Sequence, residues 1–358
     1  WYCLGRTWAV PLFLQLHSKK AKSLYSDFAF FVVCIHIKFP GIAGRCVTAI
    51  AVISVPVFFM ITGYFYEQTV CRNRQKEQLK KILALLIFSG AIYFVWMIVF
   101  FPFKQENLLN YLHELCSTKN FLELIFLNKP YRYDHLWYLL AILYVLIIVG
   151  AADRLQCRKF LYWITPLLLL TGLAFGKYAL LLFHRKFSAV LSRNFLFEGI
   201  PYFCIGCMIR DLSLKKGPIF PIADARRKKR FLFLIGLLAI TSLSEGFFLS
   251  MIKMTASGDR YISSIFLSIA VFVFALSTEE REPAPSKLLN ALSIIGRKYS
   301  LWIYILHPIF VDAIGEIMKG FGVYSIYEYV GSIVVYISTL LFLVALSHAK
   351  QYIAARRA

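Results

Sequence analysis

The chain has 358 residues, 59% of them hydrophobic and 16% charged, with a mean hydropathy of +0.66. Soluble domains run nearer ~45–50% apolar and ~25% charged, so this balance excludes an ordinary soluble fold and points to a polytopic membrane protein. The net charge of +21 falls mostly in short loops and not in a basic folded domain, which argues against a nucleic-acid partner and for anionic membrane lipids or an anionic cofactor such as a coenzyme A thioester.

A membrane-crossing helix needs ~20 mostly apolar residues. Ten stretches approach that length: about 24–39, 47–70, 82–102, 135–151, 160–176, 195–210, 231–250, 260–278, 299–318 and 327–348. The expected fold is therefore all-α and polytopic, with about ten transmembrane helices. A ten-helix membrane domain would span 24–348, between an N-terminal segment at 1–23 and a tail at 349–358. Residues 1–20 hold an apolar patch without a clear cleavage site, so no signal peptide is expected. With the N-terminus on the cytoplasmic side, the cytoplasmic segments carry 27 of the 40 lysines and arginines. That bias places both termini in the cytoplasm. Its strongest contributor is Arg226-Arg227-Lys228-Lys229-Arg230.

The first stretch carries a histidine, in Phe30-Phe31-Val32-Val33-Cys34-Ile35-His36. The charge bias puts it near the external end. Histidine is the usual general base near neutral pH, but an interfacial histidine bonded to a carbonyl fits the position equally. Pro56 and Gly63 interrupt the second stretch. Proline frees a backbone carbonyl, which is tolerated beside a cavity or where neighbours pack. The longest external segment, 103–134, contains Phe121-Leu122-Glu123-Leu124-Ile125-Phe126-Leu127, too short to span and read as interfacial or re-entrant. His135 and Trp137 follow at the mouth of the fourth helix. Such residues anchor helices at the interface or form a carbohydrate-binding rim.

Ionisable residues inside membrane helices are expensive and are functional candidates by default. Arg193-Asn194 precede the sixth helix, where Glu198 follows. Arg193 and Glu198 can pair across that turn and a half, and the arginine can hold an anionic or carbonyl group or snorkel to the interface. Further on, Ser300, Tyr304 and His307 recur at i, i+4 and i+7. They form a polar stripe on one helix face that either lines a site or bonds the bundle together. Cys204 and Cys207 have CxxC spacing inside an apolar helix with no second pair, so buried small residues are expected and no metal site. No GxSxG, Walker, HExxH or dinucleotide motif is present.

Taken together, several segments resemble successive landmarks of the acyltransferase 3 family. They are His36, Val55-Pro56-Val57-Phe58-Phe59-Met60-Ile61-Thr62-Gly63-Tyr64-Phe65, His135-Leu136-Trp137-Tyr138-Leu139, Arg193-Asn194 with Glu198-Gly199-Ile200-Pro201-Tyr202-Phe203, and Gly296 to His307. The resemblance covers about residues 20–345. It implies a bacterial inner-membrane O-acyltransferase with ten core helices. Such an enzyme takes an acyl group, usually acetyl from cytoplasmic acetyl-CoA, to a hydroxyl of a surface or exported glycan or of a lipid-linked saccharide. His36 matches the family's essential histidine and would act as general base or acyl relay, with Arg193 orienting donor or acceptor. His135, Trp137, Asn194, Glu198, Ser300, Tyr304 and His307 would line the substrate site. Arg72, Arg74 and Lys22, with Arg297 and Lys298, would draw in the coenzyme A phosphates. One departure stands out: many members carry an arginine eleven residues before the histidine, where this chain has Tyr25. A lipid-linked glycan flippase and an inactive structural subunit are the alternatives. The flippase would be expected to show repeat symmetry between halves, and none is visible.

Overall fold

The computed structural model describes residues 19–104, 107–216, 225–252, 254, 260–277 and 286–356. Most of the expected N-terminal segment 1–23, and the side chain of Lys22, lie outside the described residues. Among those described there is helix and no strand, as lipid demands, because a helix satisfies every backbone N–H and C=O within itself. The helices are α1 (Lys19–His36), α2 (Gly41–Ala51), α3 (Ser54–Cys71), α4 (Gln75–Lys104), α5 (Leu108–Leu115), α6 (Thr118–Leu127), α7 (Trp137–Arg154), α8 (Arg158–Phe175), α9 (Ala179–Phe183), α10 (Ala189–Ser192), α11 (Ile200–Lys216), α12 (Ala225–Met251), α13 (Ile262–Leu276), α14 (Lys287–Gly320) and α15 (Tyr324–Ala355). A 3₁₀ turn, Asp134–Leu136, leads into α7, and a π-helical turn, Phe195–Gly199, leads into α11.

Each of the ten apolar stretches carries helix. Six spans among the described residues are long and apolar enough to cross a membrane: Gly41–Cys71, Gln75–Phe101, Asp134–Arg154, Arg226–Met251, Lys287–Gly320 and Tyr324–Ala355. Tyr25–His36 and Ile262–Leu276 are shorter apolar helices.

The interruption near Pro56 falls at Val52 and Ile53, between α2 and α3. Proline's ring collides with the carbonyl four residues back, here that of Val52, so the break sits one turn ahead of the proline. Pro56 itself rides in the first turn of α3, where its missing N–H costs nothing. Gly63 leaves α3 unbroken.

The chain divides into two compact units, one from residues 1–54 and 279–358, the other from 55–278. In the first, α1 packs along α14 and α15. Ala29 and Val33 of α1, with Ile37 just past its end, recur every fourth residue, one stripe of a 3.6-residue helix. They meet Ile303, Tyr327, Val335 and Leu343 in a buried core. Polar ties reinforce the contact: Ser26 and Tyr336 share a hydroxyl hydrogen bond of 3.0 Å, and the Tyr327 hydroxyl donates to the Val311 carbonyl at 3.2 Å.

In the second unit, α3 and α11 cross with their backbones nearly touching. A Cβ on Gly63 would lie 2.0 Å from the Phe203 carbonyl oxygen, and one on Gly206 would lie 2.1 Å from that of Met60. The Cys207 thiol donates to the Gly63 carbonyl at 3.2 Å. Small residues at the crossing replace a hydrophobic driving force that lipid does not supply. Where α3, α7 and α8 end or begin, Arg158 donates to Glu67 at 2.6 Å and to both oxygens of Asp153, and Asp153 also accepts from the Tyr66 hydroxyl at 3.0 Å.

Candidate functional site

Two polar clusters emerge, one in each unit. The first is a histidine pair. His36 is the last residue of α1 and is exposed. His307 lies mid-way along α14 and is completely buried. Their ring centroids are 5.0 Å apart and the rings are tilted by 53°. That tilt rules out parallel stacking.

The local sequence explains how His307 is held. Pro308 follows it and has no N–H to offer the Tyr304 carbonyl. The His307 imidazole makes contact with the backbone of both Ile303 and Tyr304, with Nδ1 2.9 Å from the Ile303 carbonyl oxygen. A carbonyl can only accept, so Nδ1 carries the proton. In the neutral ring Nε2 is then the acceptor.

Ser300 and Tyr304 share the buried face of α14 with His307, as their spacing predicted. The Ser300 hydroxyl donates to the Gly296 carbonyl at 2.6 Å in its own helix, a common way of satisfying a buried hydroxyl. Tyr25 is fully buried on α1, so the position where the family often has arginine holds an aromatic ring packed in protein.

The second cluster surrounds the π-helical turn. Insertions of this kind are rare and are frequent at functional sites. Asn194 builds this one. Its side-chain oxygen accepts from the N–H groups of Leu196 and Phe197, both at 2.9 Å, and its amide nitrogen donates to the carbonyls of Leu191 and Val190 at 2.9 and 3.2 Å. Glu198 is buried in the same turn.

The cation facing Glu198 is Arg260, which the sequence reading missed. Arg260 Nε lies 3.8 Å from Glu198 Oε2, with both side chains 6% exposed. The rest of the guanidinium donates to backbone carbonyls, to Phe197 at 2.9 Å and to Ser192. Arg193, half-buried, has its guanidinium 5.8 Å from the centre of the Trp137 ring, within range of a cation–π contact.

Trp137 and the π turn are joined by another residue missed in the sequence. Asn128 is fully buried at the end of α6, in a left-handed backbone conformation (φ 44°, ψ 41°). Its amide donates to the Trp137 carbonyl at 3.1 Å, and its oxygen accepts from the Phe195 N–H at 2.8 Å. His135 is buried too, edge-on to Tyr93 with 4.8 Å between ring centres. This unit therefore brings together His135, Trp137, Arg193, Asn194 and Glu198 around connected loops. Elsewhere, Arg72 and Arg74 are exposed in the turn between α3 and α4, with Arg74 3.8 Å from Glu77, and Arg297 and Lys298 are exposed within α14.

No solved structure matches the chain. An amino-acid racemase of Enterococcus faecalis is 24% identical over 281 residues, which is 75% of this chain and 36% of that protein. The chain thus spans little more than a third of the length of this curated relative. Residues 28–349 match the acyltransferase 3 family, an acyltransferase domain. That match runs from the helix carrying His36 through the helix carrying His307 and nearly to the end of α15, and it covers both polar clusters: the chain belongs to the acyltransferase 3 family.

Proposed function

We propose that this protein transfers an acetyl group from cytoplasmic acetyl-CoA to a hydroxyl of a surface or exported glycan, in the inner membrane of a bacterium. The observation that carries the reading is the exposed His36 imidazole at the end of α1, backed by a buried second imidazole inside a domain of acyltransferase ancestry. His36 acts as general base. It removes the proton of the sugar hydroxyl as the oxygen attacks the thioester carbonyl. The C–S bond breaks, coenzyme A leaves as thiolate, and His36 gives up the proton it took, so that the thiolate ends as the thiol. The positive charge gained by His36 sits beside the C-terminal carbonyls of α1, the negative end of the helix dipole.

Arg193 holds an oxygen of donor or acceptor, because a guanidinium offers a planar fork of donors. The aromatic surround of Trp137 and His135 suits a sugar ring. Asn194, Glu198 and the residues that brace them set the shape of that loop. In the other unit, Ser300 and Tyr304 line α14 on the same face as His307. The exposed Arg72, Arg74, Arg297 and Lys298, with Lys22, attract the phosphates of coenzyme A. The domain occupies 24–348 with ten crossings, and both termini face the cytoplasm, as the loop charges favour.

Mass spectrometry of envelope glycan from cells with and without the gene tests this directly. The expected difference is the mass of one or more acetyl groups. Identical glycan from the two strains would refute the acceptor, and purified protein that leaves labelled acetyl-CoA intact in the presence of envelope extract would refute the donor.

A further inference from the structure

The Ile303 carbonyl fixes the proton of neutral His307 on Nδ1, so Nε2 presents a lone pair. The neighbouring ring is His36, 5.0 Å away between centroids and inclined at 53°. At that centroid spacing, two ring nitrogens turned toward each other lie ~3 Å apart, the length of an ordinary hydrogen bond. A general base needs one ring nitrogen bare toward its substrate, and the tautomer is set by whatever the other nitrogen bonds.

We propose that His307 is a positioning residue for His36: its Nε2 accepts the N–H of the His36 ring nitrogen that faces away from the substrate. The other His36 nitrogen is then left unprotonated toward the incoming hydroxyl. The inference rests on His36 being the base. The arrangement is a three-part chain, from the Ile303 carbonyl through His307 to His36, in which a backbone group orders two rings. It also accounts for the cost of a fully buried imidazole on α14, which packing alone does not require. When His36 takes up the substrate proton, the bond to Nε2 becomes charge-assisted and shortens, so the support is greatest when the charge forms.

The test uses the full-length protein in detergent, with acetyl-CoA and envelope glycan extract as substrates and release of coenzyme A thiol as readout. His307→Gln keeps an acceptor oxygen near the Nε2 position; His307→Leu has the size but no acceptor. The expected result is kcat within about threefold of wild type for Gln and a roughly tenfold to hundredfold loss for Leu, with KM for acetyl-CoA unchanged and similar melting temperatures. Full activity in His307→Leu, or equal losses in the two variants, overturns the proposal.

A second measurement needs no activity and no His307 variant. In ¹⁵N-histidine spectra, His307 is expected as the Nδ1–H tautomer, and His36→Ala should shift its Nε2 resonance. An unmoved resonance overturns the proposal. If His36→Ala moves that resonance yet leaves acyl transfer intact, the pairing stands as geometry, but both the catalytic reading and the positioning role fail.

Discussion

At the scale of single residues, the two clusters make separable predictions. His36→Ala is expected to lower acyl transfer by roughly 10²–10⁴, the usual contribution of a positioned base, while the amount of protein in the membrane stays constant by immunoblot. Retained transfer would remove His36 from the chemistry. Arg260 and Glu198 predict a stability effect instead. Both are 94% buried, since each is 6% exposed, and removing one charge strands the other in a poorly solvated site. Arg260→Met should therefore cost roughly 3–5 kcal/mol, read as a lower melting temperature in detergent, and Arg260→Met with Glu198→Met should recover part of that loss. Additive losses in the double variant would show that the pair is not coupled. The histidines were legible in the sequence because an imidazole in an apolar run has no bland surroundings to hide in. Arg260 was not, because it stands at the polar edge of an apolar stretch, where arginine is commonplace. Its partner is 62 positions away, and no local spacing reports that.

At the scale of elements, the sequence showed where helices lie better than how far they run. A window tuned to membrane thickness detects only the apolar part, so α14 was expected at 299–318 but begins at Lys287, where Ser286 caps it by accepting from the Leu289 N–H at 3.1 Å. Likewise α15 continues to Ala355, because polar residues such as Lys350 and Gln351 do not break a helix. Gly63 read as a helix interruption for a related reason: a glycine's use in a close crossing is set by a helix more than a hundred residues away. That crossing gives the element-scale prediction. Gly63→Leu or Gly206→Leu forces α3 and α11 apart, since even a Cβ would fall near 2 Å from a carbonyl oxygen, and overpacking of this kind costs typically ~1–3 kcal/mol or more. Gly90, which has open space around it, is the control, and Gly90→Leu should melt at or slightly above wild type, because a helix-interior glycine costs roughly 0.5–1 kcal/mol. Equal melting of the Gly63, Gly206 and Gly90 variants would mean the backbones are not in contact. Asn128→Ala belongs to the same scale, because that amide ties α6 and α7 to the π turn. Two lost hydrogen bonds and a strained left-handed alanine together cost about 2–4 kcal/mol.

At the scale of the whole molecule, apolar surface and charge decide what the sequence can and cannot place. Exposed side chains such as Ile87, Val95 and Val99 on α4, Phe233, Ile240 and Phe248 on α12, and Ile337 and Leu341 on α15 lie on helices long and apolar enough to cross a membrane, and a bilayer would remove them from water. Which side each loop faces is a matter of charge alone, and three native cysteines test it. Cys71, Cys116 and Cys157 are exposed free thiols. The loop-charge bias puts Cys71 and Cys157 in the cytoplasm, flanked by Arg72, Arg74, Arg154 and Arg158, and puts Cys116 in the external segment. In single-cysteine versions of the full chain, a membrane-impermeant maleimide should label Cys116 in cells with an opened outer layer but an intact inner membrane. Cys71 and Cys157 should react only after the inner membrane is permeabilised. The reverse pattern would invert the protein and move the acceptor to the cytoplasm, and labelling of all three in intact cells would break the ten-crossing topology between α3 and α8. Because an exported glycan can be acetylated only where the base meets it, the side on which Cys116 reacts decides whether the acceptor proposed for His36 is chemically reachable.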